Sequence, residues 1–166
     1  MKKNGFTLIE LLVVIAIIAS IVSLAIPNYL GARQRARDSK RKSEMVSLKA
    51  ALRLYYNDFQ IFPANVSEGA GIQGCGAGGT ELCPCGLVDF ASGASCDNLY
   101  MKKFPSDFGT SMVYFQAANG DDFCLAVTLD NVSDPDIAAS QSRCASACGA
   151  NCTGGASTGR YCVCAD

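Results

Sequence analysis

Three sets of residues in this chain have the type and spacing for chemistry. Ten cysteines lie between Cys75 and Cys164, a string of oxygen ligands runs through Asp130, Asn131, Asp134 and Asp136, and one carboxylate, Glu10, sits inside an apolar run. There is no His and no Trp. Lack of His removes the commonest general base and metal ligand, and any CxxCH haem attachment. Hydrolysis would then need a Ser/Lys, carboxylate or thiol site. No such constellation is present, so no catalytic residues are assigned and the chain is not read as an enzyme.

The cysteines fall into three groups: Cys75, Cys83, Cys85 and Cys96; Cys124 alone; and Cys144, Cys148, Cys152, Cys162 and Cys164. Their density approaches that of a disulfide scaffold, which forms in an oxidising compartment. Groups of four, one and five require at least one bond between regions if all are paired. Cys162 and Cys164 would share one face of a strand and need separate partners. About 945 complete pairings are possible; the expectation here joins Cys124 to the C-terminal group and pairs the first four among themselves. Each bond would contribute about 2–4 kcal/mol. Zinc is the rival, through Cys83-x-Cys85 and Cys144-x3-Cys148-x3-Cys152, but the usual C-x2-C pairs and His are absent.

Asp130, Asp134 and Asp136, with Asn131, make an oxygen-rich loop and a weak calcium candidate. The spacing does not match an EF-hand, and a solvated turn is the plainer reading. No metal and no other cofactor are otherwise expected.

Glu10 interrupts FTLIELLVVIAIIASIVSLAI, Phe6 to Ile26, a block long enough to cross a bilayer as a helix. A carboxylate at that depth costs about 2–3 kcal/mol unless partnered. Cleavage after Gly5 would supply a partner, because the Phe6 amine would lie one helical turn from Glu10. That amine could belong to the same chain or to a neighbour in an apolar filament core. In the second case Glu10 sets the register of docking, since an unpaired buried charge disfavours wrong positions. A secretory signal peptide would explain Lys2 and Lys3, but not Glu10 or the length of the apolar block.

Lys2-Lys3-Asn4-Gly5 followed by Phe6-Thr7-Leu8-Ile9-Glu10 resembles the processing site of type IV pilins and type II secretion pseudopilins. Pro27 stands where that family places a helix-bending proline. The resemblance covers roughly residues 1–63. It implies cleavage between Gly5 and Phe6 by a prepilin peptidase, methylation of the Phe6 amine, and assembly through Phe6, Glu10 and Pro27. It also implies as partners an inner-membrane platform protein, an assembly ATPase and further copies of the chain. Some pseudopilins bind calcium in a loop comparable to that at Asp130.

Charge is divided along the chain. Residues 1–60 hold ten Lys/Arg against four Asp/Glu; residues 61–166 hold four against eleven. Arg33, Arg35, Arg37, Lys40, Arg41 and Lys42 follow the apolar block, which by the positive-inside rule alone would put the C-terminal side in the cytoplasm. The cysteines and the family resemblance both argue the opposite, and they outweigh a statistical rule. The same cluster could bind nucleic acid or anionic lipid. A solvated helix face near the membrane, or charge neutralised between subunits, is the plainer reading, and no direct nucleic-acid binding is expected.

The fold class expected is α+β and pilin-like: a long N-terminal helix on a small antiparallel sheet with disulfide-rich loops. Residues 1–5 are read as a leader, 6–26 as the membrane and filament-core helix, 27–60 as its amphipathic continuation, and 61–166 as a cysteine-rich head. Met45, Leu48, Leu52, Tyr55 and Phe59 recur every three or four residues and make one apolar face. Pro27 should bend or locally melt the rod. In the head, 60–110 reads as a long loop with a short helical turn near Leu87–Phe90. Strands are expected at Ser111–Ala117, Phe123–Leu129 and Arg160–Cys164, with Asn119-Gly120 closing a tight hairpin. Asn65, Asn131 and Asn151 head formal glycosylation triplets of little weight.

These features converge on a filament subunit, a major pilin-like chain held in the cytoplasmic membrane with its head outside and then polymerised into an extracellular pilus. A type II secretion pseudopilin is the nearest alternative. A membrane-anchored cysteine-rich binding module that never polymerises is the alternative of another class.

Overall fold

The computed structural model describes residues 5–86, 89–152 and 159–165, apart from the Pro27 side chain. The chain divides into two compact units, Met1–Arg37 and Asp38–Asp166.

Helix α1, Leu8–Phe59, belongs to both units. It starts on a reciprocal cap. The Glu10 N–H donates to Thr7 Oγ1 at 3.3 Å, and Glu10 Oε2 accepts the Thr7 N–H at 2.9 Å. This is the S/T-x-x-E arrangement that satisfies two orphan donors of a helix start. The helix continues through Pro27, so the local melting expected there does not occur. One missing donor costs less than breaking a long helix on either side of it. In the first unit every described side chain from Gly5 to Leu30 is exposed.

The second unit is built on the last turns of α1. Met45, Leu48, Ala51, Leu52 and Tyr55 are buried on one face, as their spacing requires. Gln60, at φ 55°, ends the helix, and its N–H donates to the Tyr56 carbonyl at 2.8 Å. The segment after it is fixed to the sheet: Tyr114 Oη donates to the Pro63 carbonyl and Gln116 Nε2 to that of Phe62, both at 2.6 Å.

Strands β5 (Met112–Gln116), β6 (Phe123–Thr128) and β7 (Arg160–Cys164) form an antiparallel sheet in the order β5-β6-β7. These are the three strands read from the sequence. The β5–β6 connection is wider than a two-residue turn. Gln116 pairs with Phe123, and the Gly120 N–H donates to the Ala117 carbonyl at 2.9 Å.

Alternation along β6 splits its side chains between two cores. Phe123, Leu125 and Val127 join the α1 face, while Cys124 and Ala126 face a second cluster with Cys144, Cys148, Cys152, Cys162 and Cys164. Helices α2 (Asp136–Arg143) and α3 (Ala145–Cys148) supply Cys148 and lead through Cys144 into that second cluster.

Residues 60–110 depart from the loop reading. They form two antiparallel two-stranded sheets, β1 (Gln73–Cys75) with β2 (Glu81–Leu82), and β3 (Phe90–Ser92) with β4 (Asn98–Met101). Phe90 lies in β3, not in a helical turn; Leu87 and Val88 lie outside the described residues. The strands are two to four residues long and bulged, too short for periodicity to register. Tyr55 ties them to α1 by stacking on Phe90 and donating its hydroxyl to the Gly79 carbonyl at 3.0 Å.

Candidate functional site

At the start of the chain, Phe6 is 92% exposed and the apolar side chains behind it are open along the whole block. The described helix is long and apolar enough to cross a membrane, by length and composition. Glu10 is its one acid from Leu8 to Ile26. Glu10 Oε2 also accepts the Thr7 hydroxyl at 2.7 Å, so the carboxylate is held at the helix start by Thr7. Thr7 is thus a further residue of this site, and the T-x-x-E spacing that marks it is visible in the sequence.

The basic stretch and the acidic loop meet in the second unit. Arg41 Nη1 lies 2.8 Å from Asp130 Oδ1 and 3.5 Å from Asp38 Oδ1, and Arg41 Nε lies 3.6 Å from Asp107 Oδ2. Lys42 Nζ donates to Asp134 Oδ1 at 2.7 Å and to Asp136 Oδ2 at 2.8 Å. It also stands 5.3 Å from the centre of the Tyr161 ring.

Beneath these pairs, the buried Asp38 carboxylate accepts the backbone N–H of Asp130 and of Asn131, both at 2.8 Å. The hydrogen bond to Asp130 holds the Arg41 guanidinium above its ordinary range, against the opposing effect of burial. Burial pulls Lys42 down, but its hydrogen bonds to Asp134 and Asp136 outweigh that and push it up. Burial works to raise Asp134, yet Lys42 and the Asp136 N–H hold it below the usual carboxylate range.

The three carboxylates read as calcium ligands are thus partnered by two side chains of α1. A divalent cation there would compete with Arg41 and Lys42. The same contacts give part of the basic stretch a structural role within the head, different from the solvated face expected.

The cysteines are joined as Cys75–Cys83, Cys85–Cys96, Cys124–Cys148, Cys144–Cys164 and Cys152–Cys162. The first four pair among themselves, Cys124 joins the C-terminal group, and Cys162 and Cys164 take separate partners. The sulfurs of Cys148, Cys152 and Cys162 lie within 4.8 Å of one another, but as disulfides they offer no thiolate to a metal.

Residues 1–26 match the family model of the prokaryotic N-terminal methylation motif. The chain is similar to type II secretion system core protein G of Pectobacterium carotovorum subsp. carotovorum, 40% identical over 63 residues, which are 38% of this chain and 40% of that protein. It is similar to the core protein G of Escherichia coli (strain K12), 42% identical over 62 residues, 37% of this chain and 43% of that one. It is also similar to the type IV major pilin protein PilA of Myxococcus xanthus (strain DK1622), 35% identical over 57 residues, 34% of this chain and 26% of that protein. The chain therefore spans less than half the length of the curated relatives it matches. No solved structure matches it.

Proposed function

We infer that this chain, whose N-terminal segment is that of the type IV pilin and type II secretion pseudopilin family, is a major pilin-like subunit polymerising through that segment into a type IV pilus. Members of this family are structural subunits, not enzymes. The observation that carries the reading is the exposed apolar stretch of α1 bearing one carboxylate four residues after Phe6. Before assembly the bilayer covers that stretch. After cleavage between Gly5 and Phe6 by a prepilin peptidase, identical helices replace lipid, and Glu10 exchanges Thr7 for a neighbour's Phe6 amine. An apolar side chain gains little by trading lipid for protein, so the buried ion pair selects the position rather than driving the association. A membrane platform protein and an assembly ATPase are the further partners that the family implies.

The pseudopilin reading is supported by the relatives, most of which are core protein G. The resemblance, however, lies in the segment that both kinds of filament use alike. Five disulfides in the head suit a durable fibre in an oxidising exterior, and they favour the pilus.

The test is electron microscopy and intact mass of sheared surface material, with Glu10→Ala beside the wild type. Long fibres of a chain beginning at methylated Phe6, lost in the variant, support the reading. Secretion failure without long fibres would favour the pseudopilin. A dispersed chain unaffected by Glu10→Ala would remove both.

A further inference from the structure

Arg41 and Lys42 of the basic stretch are taken up by the carboxylates of the head. Arg33 and Arg35 are not: both belong to the first unit, on the part of α1 that follows the apolar block, and both are exposed. No acid stands between Glu10 and Asp38, and Asp38 is turned to the Asp130 and Asn131 N–H groups.

Their height along the helix matches a bilayer surface. The apolar block ends at Ile26, 52% exposed. Tyr29, 66% exposed, follows within one turn, where membrane-crossing helices place amphipathic rings. Arg35 Nη2 lies 3.8 Å from the position a Cβ on Gly31 would take, so this guanidinium reaches back one turn towards the block. Gly31 stands about 7.5 Å of helix rise beyond Ile26. The polar layer on each side of the hydrocarbon is about 5–8 Å thick. When the block fills the hydrocarbon, the guanidinium is therefore level with the lipid phosphates.

Orientation selects the occupant. Arg33 and Arg35 point about 160° apart around the helix, and the apolar side chains of the block are exposed on every face. A partner docking on one side would meet one of the two arginines, whereas a lipid leaflet surrounds the helix and meets both. The arginine fork also takes two phosphate oxygens at once, which a lysine does not.

We propose that Arg33 and Arg35 form a collar that binds the phosphates of anionic phospholipids in the leaflet where the apolar block ends. The inference rests on the membrane stage of the proposed function and gives that stage a partner and a depth. With Ile26 held at one edge of the hydrocarbon, Glu10 lies about 24 Å away across a layer of about 30 Å. The carboxylate is thus kept near the opposite edge, where a charge costs less than at the centre.

The experiment places the full-length chain in nanodiscs of phosphatidylcholine with a minority of phosphatidylglycerol, and identifies the lipids that stay bound by native mass spectrometry. Wild type is compared with Arg33→Gln/Arg35→Gln and with Lys40→Gln, which removes a charge from the second unit. An intact mass with five disulfides confirms that each head is folded. Phosphatidylglycerol should be enriched at least about fivefold over its share of the bilayer on the wild type and on Lys40→Gln. On the double variant it should fall to that share. No enrichment on the wild type, enrichment that survives the double variant, or an equal loss in Lys40→Gln overturns the collar and leaves the membrane reading intact. A chain that stays dispersed outside the nanodiscs removes the membrane reading itself.

Discussion

Lys42 and Asp134 are 92 positions apart in sequence and 2.7 Å apart in the fold. Lys42 lies on the α1 turn just before the buried stripe begins at Met45. Asp134 lies in the loop between β6 and α2. The pair therefore fixes the entry of the C-terminal helical layer against this turn of α1.

Replacing Lys42 with Ala should cost about 1–2 kcal/mol. Asp134 and Lys42 are both less than one-fifth exposed, so this bond keeps more than a surface pair does, while Asp136, 65% exposed, adds little. Urea unfolding of the detergent-solubilised chain, followed by tyrosine fluorescence because there is no Trp, gives the difference. Calcium supplies the same test from the other side. It should stabilise Lys42→Ala, whose carboxylates have lost their cation, far more than the wild type. Equal stabilisation of both would show that the ammonium does not guard the loop.

Asp38 should prove costlier to remove than either cation. Its buried carboxylate is the acceptor for two backbone donors, and Ala would leave the Asp130 and Asn131 N–H groups without it. The expected loss is about 2–4 kcal/mol. Asn keeps one acceptor oxygen but turns its amide hydrogens toward the second donor, so Asp38→Asn should recover less than half. Hydrogen exchange reads the site directly: the Asp130 and Asn131 amides should exchange faster in both variants. Unchanged protection there would mean that other acceptors take over.

The pH dependence follows from the same pair. Asp134 is held below its ordinary range, so its contribution is complete above the unfolded value of about 3.9 and disappears as pH falls through the lower folded value. Lys42 is pushed up, so its contribution is complete below about 10.4 and disappears as pH rises through the higher folded value. The stability gap between wild type and Lys42→Ala should be flat from about pH 6 to 9 and narrow below about pH 4. A gap as wide at pH 3 as at pH 7 would assign the effect to packing of the lysine stem.

How far the sequence reads ahead of the fold depends on the range of the interaction. Phe123 to Leu129 is a short apolar run bounded by Asn119-Gly120 and Asp130-Asn131, so β6 and its neighbours are legible from local pattern. Ile137, Ser140, Cys144 and Cys148 recur at three, four and four residues and are all buried. Only Ile137 of the four is a large aliphatic residue, Ser140 is polar, and the two cysteines read as disulfide partners before they read as a helix face, so the α2–α3 layer is missed. Strands β1 to β4 are hidden for another reason: bulged pairs of two to four residues leave no pattern, and their shape comes from disulfides and Tyr55. The Asp38, Arg41 and Lys42 anchor joins distant residues, and charge counts reveal both partners without revealing that they meet.

The disulfides should differ in worth according to the chain they close. Cys124–Cys148 spans 24 positions and ties the central strand to α3; Cys75–Cys83 spans 8 and closes the β1–β2 hairpin. Loop-closure entropy gives about 3.5 kcal/mol for the first and about 2.6 for the second. Cys124 and Cys148 also fill the second core, whose other members are mainly cysteines, so replacing both with Ala leaves a void that few large side chains can relax into. Cys124→Ala/Cys148→Ala should therefore lose at least about 1 kcal/mol more than Cys75→Ala/Cys83→Ala in urea unfolding of the oxidised proteins. The reverse order would mean that the β1–β4 half carries more of the head's cooperativity than its short strands suggest, and that the helical layer over β6 stands on its hydrogen bonds, such as Cys162 N–H to Ser140 Oγ at 3.1 Å, without the staple.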